Sequence, residues 1–505
     1  MIQGTGSGAG KSLIAAALCR IFRDQGINVA PFKSQNMALN SAITVEGGEI
    51  GRAQALQARA ARLLPTNDMN PILLKVSGES GSQVIIHGKV YANMKAQEYY
   101  AFRDEAWKSV AASYKRLSRK HDLIVIEGAG SPAEINLMDV DIVNMAMARH
   151  AKAPVLLVGD IDKGGVFASL YGTVKLLGRD SRFIKGFVIN KFRGDRAILE
   201  PGLDMIRDRT GKPVLGVLPY IHDIGLPEED GLALGKKSEV RSQKSEGRTI
   251  KIVVVRLKFI SNFTDFDPLA LEPDVEVVYS ENHAEIENAD LVIVPGSKNT
   301  VKDLLLLKEK HLDASIRKAY EKGSQIIGIC GGYQMLGRRI DDPHGAESHH
   351  THVDGIGLLN IETLFAKDKT TCLVEAEMES SSEFGVRSAE WNSTEILKGY
   401  EIHMGESTGD IGLFRLKRIS QLPTPSSELI HDGSMNKNCW GTYIHGIFDN
   451  DSFRRGIINQ VRKAKGLTSL DTSVNFSESQ DKALDRLAAV VREHLDMGFI
   501  QRLIA

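Results

Sequence analysis

Two stretches of this chain carry residue types that could do chemistry at the spacing chemistry needs. In Gly4-Thr-Gly-Ser-Gly-Ala-Gly-Lys-Ser12, glycines at alternate positions lead into a lysine and a hydroxyl, and the apolar-periodic segment Leu13 to Phe22 follows. Glycines let backbone N–H groups converge on a phosphate, and a helix N-terminus adds partial positive charge. Lys11 can then neutralise outer phosphates while Ser12 holds Mg²⁺. Thr5, Gly10, Lys11 and Ser12 are the candidate nucleotide contacts. The second stretch, Gly328-Ile-Cys-Gly-Gly332, lies between an apolar strand run and Tyr333-Gln-Met-Leu336. Small residues around a cysteine permit a sharp strand-to-helix turn that exposes the thiol. Cys330 is the candidate nucleophile, with the N–H of Gly331 as one oxyanion donor and the helix start favouring the thiolate.

A thiol nucleophile needs a base from elsewhere in the chain. His445, in Gly441-Thr-Tyr-Ile-His-Gly-Ile-Phe448, closes a β-rich run and is the candidate. Pro295-Gly-Ser297 follows the run Leu291 to Val294, so Gly296 is the candidate second oxyanion donor. Glu127, in Val125-Ile-Glu-Gly-Ala-Gly130, ends an apolar run beside a glycine turn. A carboxylate there can complete a Mg²⁺ shell with Ser12, or simply serve the turn.

The elements that must position these residues are short apolar runs alternating with helical patterns, the signature of parallel strands joined by crossover helices. Leu123 to Ile126, Val155 to Val158, Gly186 to Ile189 and Val214 to Leu218 are the candidate strands of the first half. Buried parallel strands read as continuous Val/Ile/Leu runs, and functional loops sit at their C-terminal ends. Residues 235–248, GKKSEVRSQKSEGR, are polar and aperiodic and predict a solvated connector. Beyond it come Ile252 to Val255, Val275 to Val278, Leu291 to Val294 and Ile326 to Ile329, with a helical stretch near Leu304 to Ala319. The expected fold is α/β throughout. A phosphate-loop parallel-sheet domain occupies 1–234, and a second α/β domain runs from 249 to 505. Leu484, Leu487, Ala488, Val491 and Leu495 recur at helical spacing and predict a docking helix near the C-terminus.

The bulk properties narrow the partners. A chain of 505 residues is too long for one ordinary core. A formal net charge of -1 gives no general attraction to nucleic acid or an anionic membrane. No apolar run approaches the ~20 residues of a membrane helix, and the chain opens almost directly on its glycine-rich loop, so neither membrane insertion nor secretion is expected. The four cysteines, Cys19, Cys330, Cys372 and Cys439, show no metal-ligand spacing, and a reducing cytoplasm suits them best.

The lengthened phosphate loop, whose leading glycine lies one residue earlier than in the common form, resembles that of dethiobiotin synthetase and its amidoligase relatives. The second half resembles the class I glutamine amidotransferase domain, except that its usual His-x-Glu is absent, since Ile447 stands two residues after His445. A third catalytic member is therefore unassigned, and a Cys330–His445 dyad is one expectation. Phe32-Lys-Ser-Gln-Asn-Met-Ala-Leu-Asn-Ser41, Glu49-Ile-Gly-Arg-Ala-Gln-Ala-Leu-Gln57, Ser131-Pro-Ala-Glu-Ile-Asn-Leu137, Asp160-Ile-Asp-Lys-Gly-Gly-Val-Phe167 and Gly399-Tyr-Glu-Ile-His-Met-Gly405 are similar to the cobyric acid synthase family across nearly the whole chain. That resemblance implies ATP- and glutamine-dependent amidation of carboxylates b, d, e and g of adenosylcobyrinic acid a,c-diamide, with ATP and Mg²⁺ as cofactors. It also implies small-molecule partners, glutamine and the corrinoid. Relatives use an Asn at the position of Asn190 against adenine, and an ordinary turn Asn is the other reading. Asp160, Asp162 and Lys163 become candidates for substrate or metal contacts, or turn residues.

Two alternatives remain. Cobyrinic acid a,c-diamide synthase shares the two-part plan, but carries an Asp-containing segment where this chain has Phe32-Lys-Ser-Gln-Asn. A nucleotide-switched partitioning ATPase shares the phosphate-loop fold. It would carry an early loop lysine where this chain has Gly6, and it leaves the Cys/His half unexplained.

Overall fold

The computed structural model describes residues 1–505 except 77–80, 223, 227–249, 349, 380–394, 421–428, 472–473 and 505. The connector expected at 235–248 lies outside the described residues. The chain forms two compact units. The first comprises Met1–Ala38, Glu49–Leu226 and Ser479–Ala505, and the second Leu39–Gly48 and Pro227–Glu478.

In the first unit, strands Ile2–Gly4, Val155–Asp160, Ile184–Phe192 and Val214–Pro219 are neighbours in that order, all parallel. Val29–Phe32 pairs in parallel with Leu123–Ile126, and a bridge from Glu127 to Ile2 joins this pair to the edge of the sheet. The apolar runs are buried because helices cover them. Helix Lys11–Asp24 presents Ile14, Leu18 and Ile21 to a cluster that includes Val158, Val188 and Leu215. The first strand and the first helix meet at the phosphate loop, so the loop lies at the C-terminal edge of a parallel sheet, where such folds bind ligands.

The same cluster contains Leu484, Leu487, Ala488, Val491 and Leu495. The docking helix is Phe476–His494, and from Ser479 onward it belongs to the first unit rather than to the second α/β domain expected over 249–505. Its apolar stripe finds the first unit's core, and Asp481 anchors it by pairing with the buried Arg20 at 2.8 Å and with Arg59 at 2.9 Å.

The second unit holds a six-stranded sheet in the order Val275–Ser280, Ile250–Val255, Leu291–Val294, Gln325–Ile329, Cys439–Thr442 and Ser434–Asn436. Every pairing is parallel except the last. The helical stretch expected near 304–319 is two helices, Thr300–Glu309 and Leu312–Glu321. They are separated at His311, whose φ of 55° cannot continue a right-handed helix. An antiparallel sheet built on Ile361–Met378 and Leu397–Gly409 adds the short strand Ile444–His445, with Tyr400 opposite His445. Among the described residues, no helix is long and apolar enough to cross a membrane.

Candidate functional site

The phosphate loop is held open by its own backbone and by neighbours at the strand ends. Gly10, the residue before the helix, has φ 95°, and a Cβ there would lie 2.1 Å from Asn190 Nδ2, so glycine is required twice over. Asn190 Nδ2 donates to Ala9 O at 2.9 Å, bracing the loop from the end of its strand. Thr5 N joins the sheet by donating to Val158 O at 2.9 Å. Lys11 Nζ folds back over the loop and donates to Gly6 O at 2.9 Å and to Gly130 O at 3.2 Å.

Ser12 Oγ donates to Glu127 Oε1 at 2.8 Å, so the hydroxyl and carboxylate singled out together in the sequence do meet. Glu127 is fully buried, and its charge is met by three further donors: Lys33 Nζ at 2.8 Å, Gln57 Nε2 at 2.5 Å and Gln54 Nε2 at 3.3 Å. Lys33 follows the strand Val29–Phe32, within the motif Phe32 to Ser41. Its position at the C-terminal end of a parallel strand was the available signal.

Asp160 reaches the same loop through Lys191, Lys163 lies beside it, and Asp162 is held away from it by its own partners. Lys191 Nζ bridges Gly8 O at 2.7 Å and Asp160 Oδ2 at 2.9 Å. Asp160 Oδ1 accepts from Asp162 N at 3.0 Å, and Asp162 pairs with Arg193 at 3.1 Å. Lys163 is exposed, and its Nζ lies 3.5 Å from where a Cβ on Gly8 would stand.

In the second unit, Cys330 sits on the sharp turn between strand Gln325–Ile329 and helix Gly331–Leu336, with φ 52° and ψ -110°. A non-glycine residue at such a φ is strained and is held only where its surroundings over-determine it. Here Cys330 N donates to Thr442 O at 2.8 Å, and Sγ to Ile402 O at 3.3 Å. Glycines on the helical side let that turn close. A Cβ on Gly332 would meet Val294 O at 1.8 Å, and one on Gly331 would meet Ser297 N at 3.0 Å. The loop Pro295-Gly-Ser297 therefore lies directly against the start of the helix. Ser297 Oγ donates to the buried Asp303 at 2.6 Å, and Gly296 O accepts from Ser261 N at 3.0 Å. A Cβ on Gly296 would stand 3.4 Å from His445 Cε1, so both candidate oxyanion glycines border the Cys330–His445 pair.

His445 is buried and hydrogen-bonds Cys330. Its Nδ1 lies 2.6 Å from Asp265 Oδ2, so Nδ1–H donates to that carboxylate. Burial alone would lower the imidazole pKa, but the charge of Asp265, then that of Cys330, overcome it and raise it to about 10. Tyr400 stacks on His445 with ring centres 5.2 Å apart, and its hydroxyl donates to Asp265 Oδ1 at 3.2 Å. The motif Gly399 to Gly405 thus has a physical task beside the histidine. Two residues on from Tyr400, Ile402 supplies the acceptor for the thiol. Glu401 would be raised by burial, but bonds from His403 and Arg418 hold it down at about 2.

Asp265 was missed in the sequence because it lies far upstream of His445. It follows the strand Ile250–Val255 within the polar run Ser261-Asn-Phe-Thr-Asp265, which was the only signal available. Asp265 is therefore the candidate for the third group that the missing His-x-Glu left unassigned, reached from the other direction along the sequence.

Residues 1–234 match a family model described as a CobQ/CobB/MinD/ParA nucleotide binding domain, and 251–453 match one described as a CobB/CobQ-like glutamine amidotransferase domain. The chain is 48% identical over 498 residues to a cobyric acid synthase of Thermodesulfovibrio yellowstonii, covering 99% of this chain and 97% of that one. It is 48% identical over 509 residues to that of Caldanaerobacter subterraneus subsp. tengcongensis, and 45% identical over 511 residues to that of Syntrophobacter fumaroxidans. Each of these alignments covers 100% of this chain and 98% of the relative.

Proposed function

The chain belongs to the cobyric acid synthase family, and on that premise we propose how its own residues divide the reaction. It is a glutamine-hydrolysing carbon–nitrogen ligase that amidates corrinoid side-chain carboxylates in cobalamin biosynthesis. The acceptors are carboxylates b, d, e and g of adenosylcobyrinic acid a,c-diamide.

In the second unit, the Cys330 thiolate attacks the side-chain carbonyl of glutamine. The N–H groups of Gly331 and Gly296 meet the developing oxyanion. His445, held as an imidazolium by Asp265, gives its proton to the departing ammonia and then deprotonates the water that releases glutamate. Asp265 keeps the proton on Nδ1 and turns Nε2 toward the reaction.

A carboxylate is a poor electrophile at neutral pH, so ammonia needs an activated acid. In the first unit the loop 4–12 fits a nucleotide phosphate chain, with Lys11 over the loop and Asn190 bracing it. The donor set fits Mg²⁺ as well: Ser12 and Glu127 are hard oxygen ligands already side by side. When bound, ATP supplies the phosphoryl group that makes the acceptor an acyl phosphate, and Mg²⁺ neutralises phosphate charge. Asp160, Asp162 and Lys163, in the segment after strand Val155–Asp160, are the residues proposed to face the acceptor. The four cysteines are free and buried, which fits a reducing cytoplasm.

The observation that carries this reading is the presence, in one chain, of a Cys330–His445–Asp265 array and a Lys11–Ser12–Glu127 cradle. Purified protein incubated with ATP, glutamine and each corrinoid acid should add four amides to the a,c-diamide, counted by mass spectrometry. No reaction on the a,c-diamide would overturn the assignment.

A further inference from the structure

Leu39–Gly48 stands, by position in the sequence, inside the nucleotide-binding half, yet it belongs to the second unit. There it touches the supports of all three glutaminase groups. Asn40 Oδ1 accepts from Phe263 N at 3.1 Å, and Ser41 N donates to Asn262 Oδ1 at 3.0 Å. Residues 262 and 263 open the turn that delivers Asp265, which closes on itself by Asp265 N donating to Asn262 O at 3.0 Å. Because Ser41 N fixes which end of the Asn262 amide is the acceptor, Asn262 Nδ2 is the end that faces His445 Nδ1, at 3.5 Å. Asn262 itself has φ 51°, a conformation that needs outside bonds to hold it. Ile43 packs on Tyr400 and Ile402, the ring stacked on His445 and the carbonyl that accepts from Cys330.

We propose that Asn40 is a positioning residue for glutamine hydrolysis, holding the 262–265 turn so that Asp265 meets His445. The proposal rests on assigning Cys330, His445 and Asp265 to that hydrolysis. Asn40 is 1% exposed, and its Nδ2 has no hydrogen-bond partner among the described residues. A buried amide nitrogen left unpaired is a cost, so what holds an asparagine here is its acceptor oxygen. Asp in its place keeps that oxygen and loses no bond, whereas Ala leaves Phe263 N–H unsatisfied.

The test uses the full-length enzyme, measuring glutaminase kcat, KM and pH profile alongside ammonia-supported synthesis. Asn40→Ala should lower glutaminase kcat by between about tenfold and a hundredfold, as small misplacements of catalytic groups do, with KM essentially unchanged. The titratable groups facing His445 are Asp265, Cys330 and Tyr400, so a displaced Asp265 should also move the alkaline limb to lower pH. Ammonia-supported synthesis should persist, which shows that the chain has folded, and Asn40→Asp should recover most of the lost kcat. Wild-type glutaminase in Asn40→Ala, or equal loss with both nitrogen sources, overturns the proposal. Cys330→Ala separates the two failures. If it still hydrolyses glutamine, the underlying assignment falls and the proposal with it. If it does not, an unaffected Asn40→Ala overturns the proposal alone.

Discussion

His445 Nδ1 lies 2.6 Å from Asp265 Oδ2, with both side chains buried. An imidazole shut away from water would ordinarily lose its proton, and this contact reverses that preference. In the proposed mechanism His445 acts as the imidazolium, so activity should survive upward in pH only until His445 deprotonates. Asp265→Asn should therefore move the alkaline limb of glutaminase activity from about pH 10 to lower values. The maximal rate should fall by about 10² to 10⁴-fold, the range seen when an orienting carboxylate is neutralised. Steady-state glutamine hydrolysis across pH checks both.

The two units should fail separately. Cys330→Ala should abolish glutamine-supported synthesis while free ammonia still supports it, because ATP chemistry belongs to the other unit. Lys11→Ala should remove synthesis with either nitrogen source. Product analysis with each source decides the matter, and retained activity in Lys11→Ala would discredit the phosphate-loop assignment.

Lys33→Met leaves Glu127 buried without its ammonium partner. Breaking a buried pair from one side costs about 3–5 kcal/mol. Removing the charge from both sides, in Lys33→Met with Glu127→Gln, should recover part of that loss. Denaturant unfolding of the three variants measures the coupling, and strictly additive losses would show that the pair is not a unit.

Asp303, which holds Ser297 in place, has a pKa raised to about 6 by burial, against which the bonds from Ser297 and the Phe259 backbone N–H act only in part. A carboxyl group raised in the folded state binds its proton more tightly there than when unfolded. Its stabilising contribution is present below the unfolded value of 3.8 and is lost as pH rises through about 6. Asp303→Asn does not titrate, so its stability relative to wild type should improve by about 1 kcal/mol between pH 5 and pH 7.5. Chemical denaturation at the two pH values tests the sign.

The sheets, the phosphate loop and the thiol turn were legible because each is a local pattern. An apolar run ends in glycines, and the reactive side chain follows at fixed spacing. Cys330, His445, Ser12 and Glu127 were singled out as candidates beside such glycines, and in the structure Ser12 meets Glu127 and Cys330 meets His445. Asp265 and Lys33 were not singled out, since the local signals beside them are weak and each meets a partner distant in sequence. The same limit explains the C-terminal helix. Its apolar stripe showed that Leu484 and Leu487 must be covered, but periodicity carries no address, and the covering core proved to be built on residues such as Ile14 and Leu18.

The chain is interleaved: Leu39–Gly48 completes the second unit and Ser479–Ala505 completes the first. On the ribosome, the unit that begins first can finish only after the last stretch has emerged, having already lent a loop to its neighbour. Cutting the gene at the junction between the two matched domains would thus yield two incomplete proteins, each lacking a piece encoded on the other fragment.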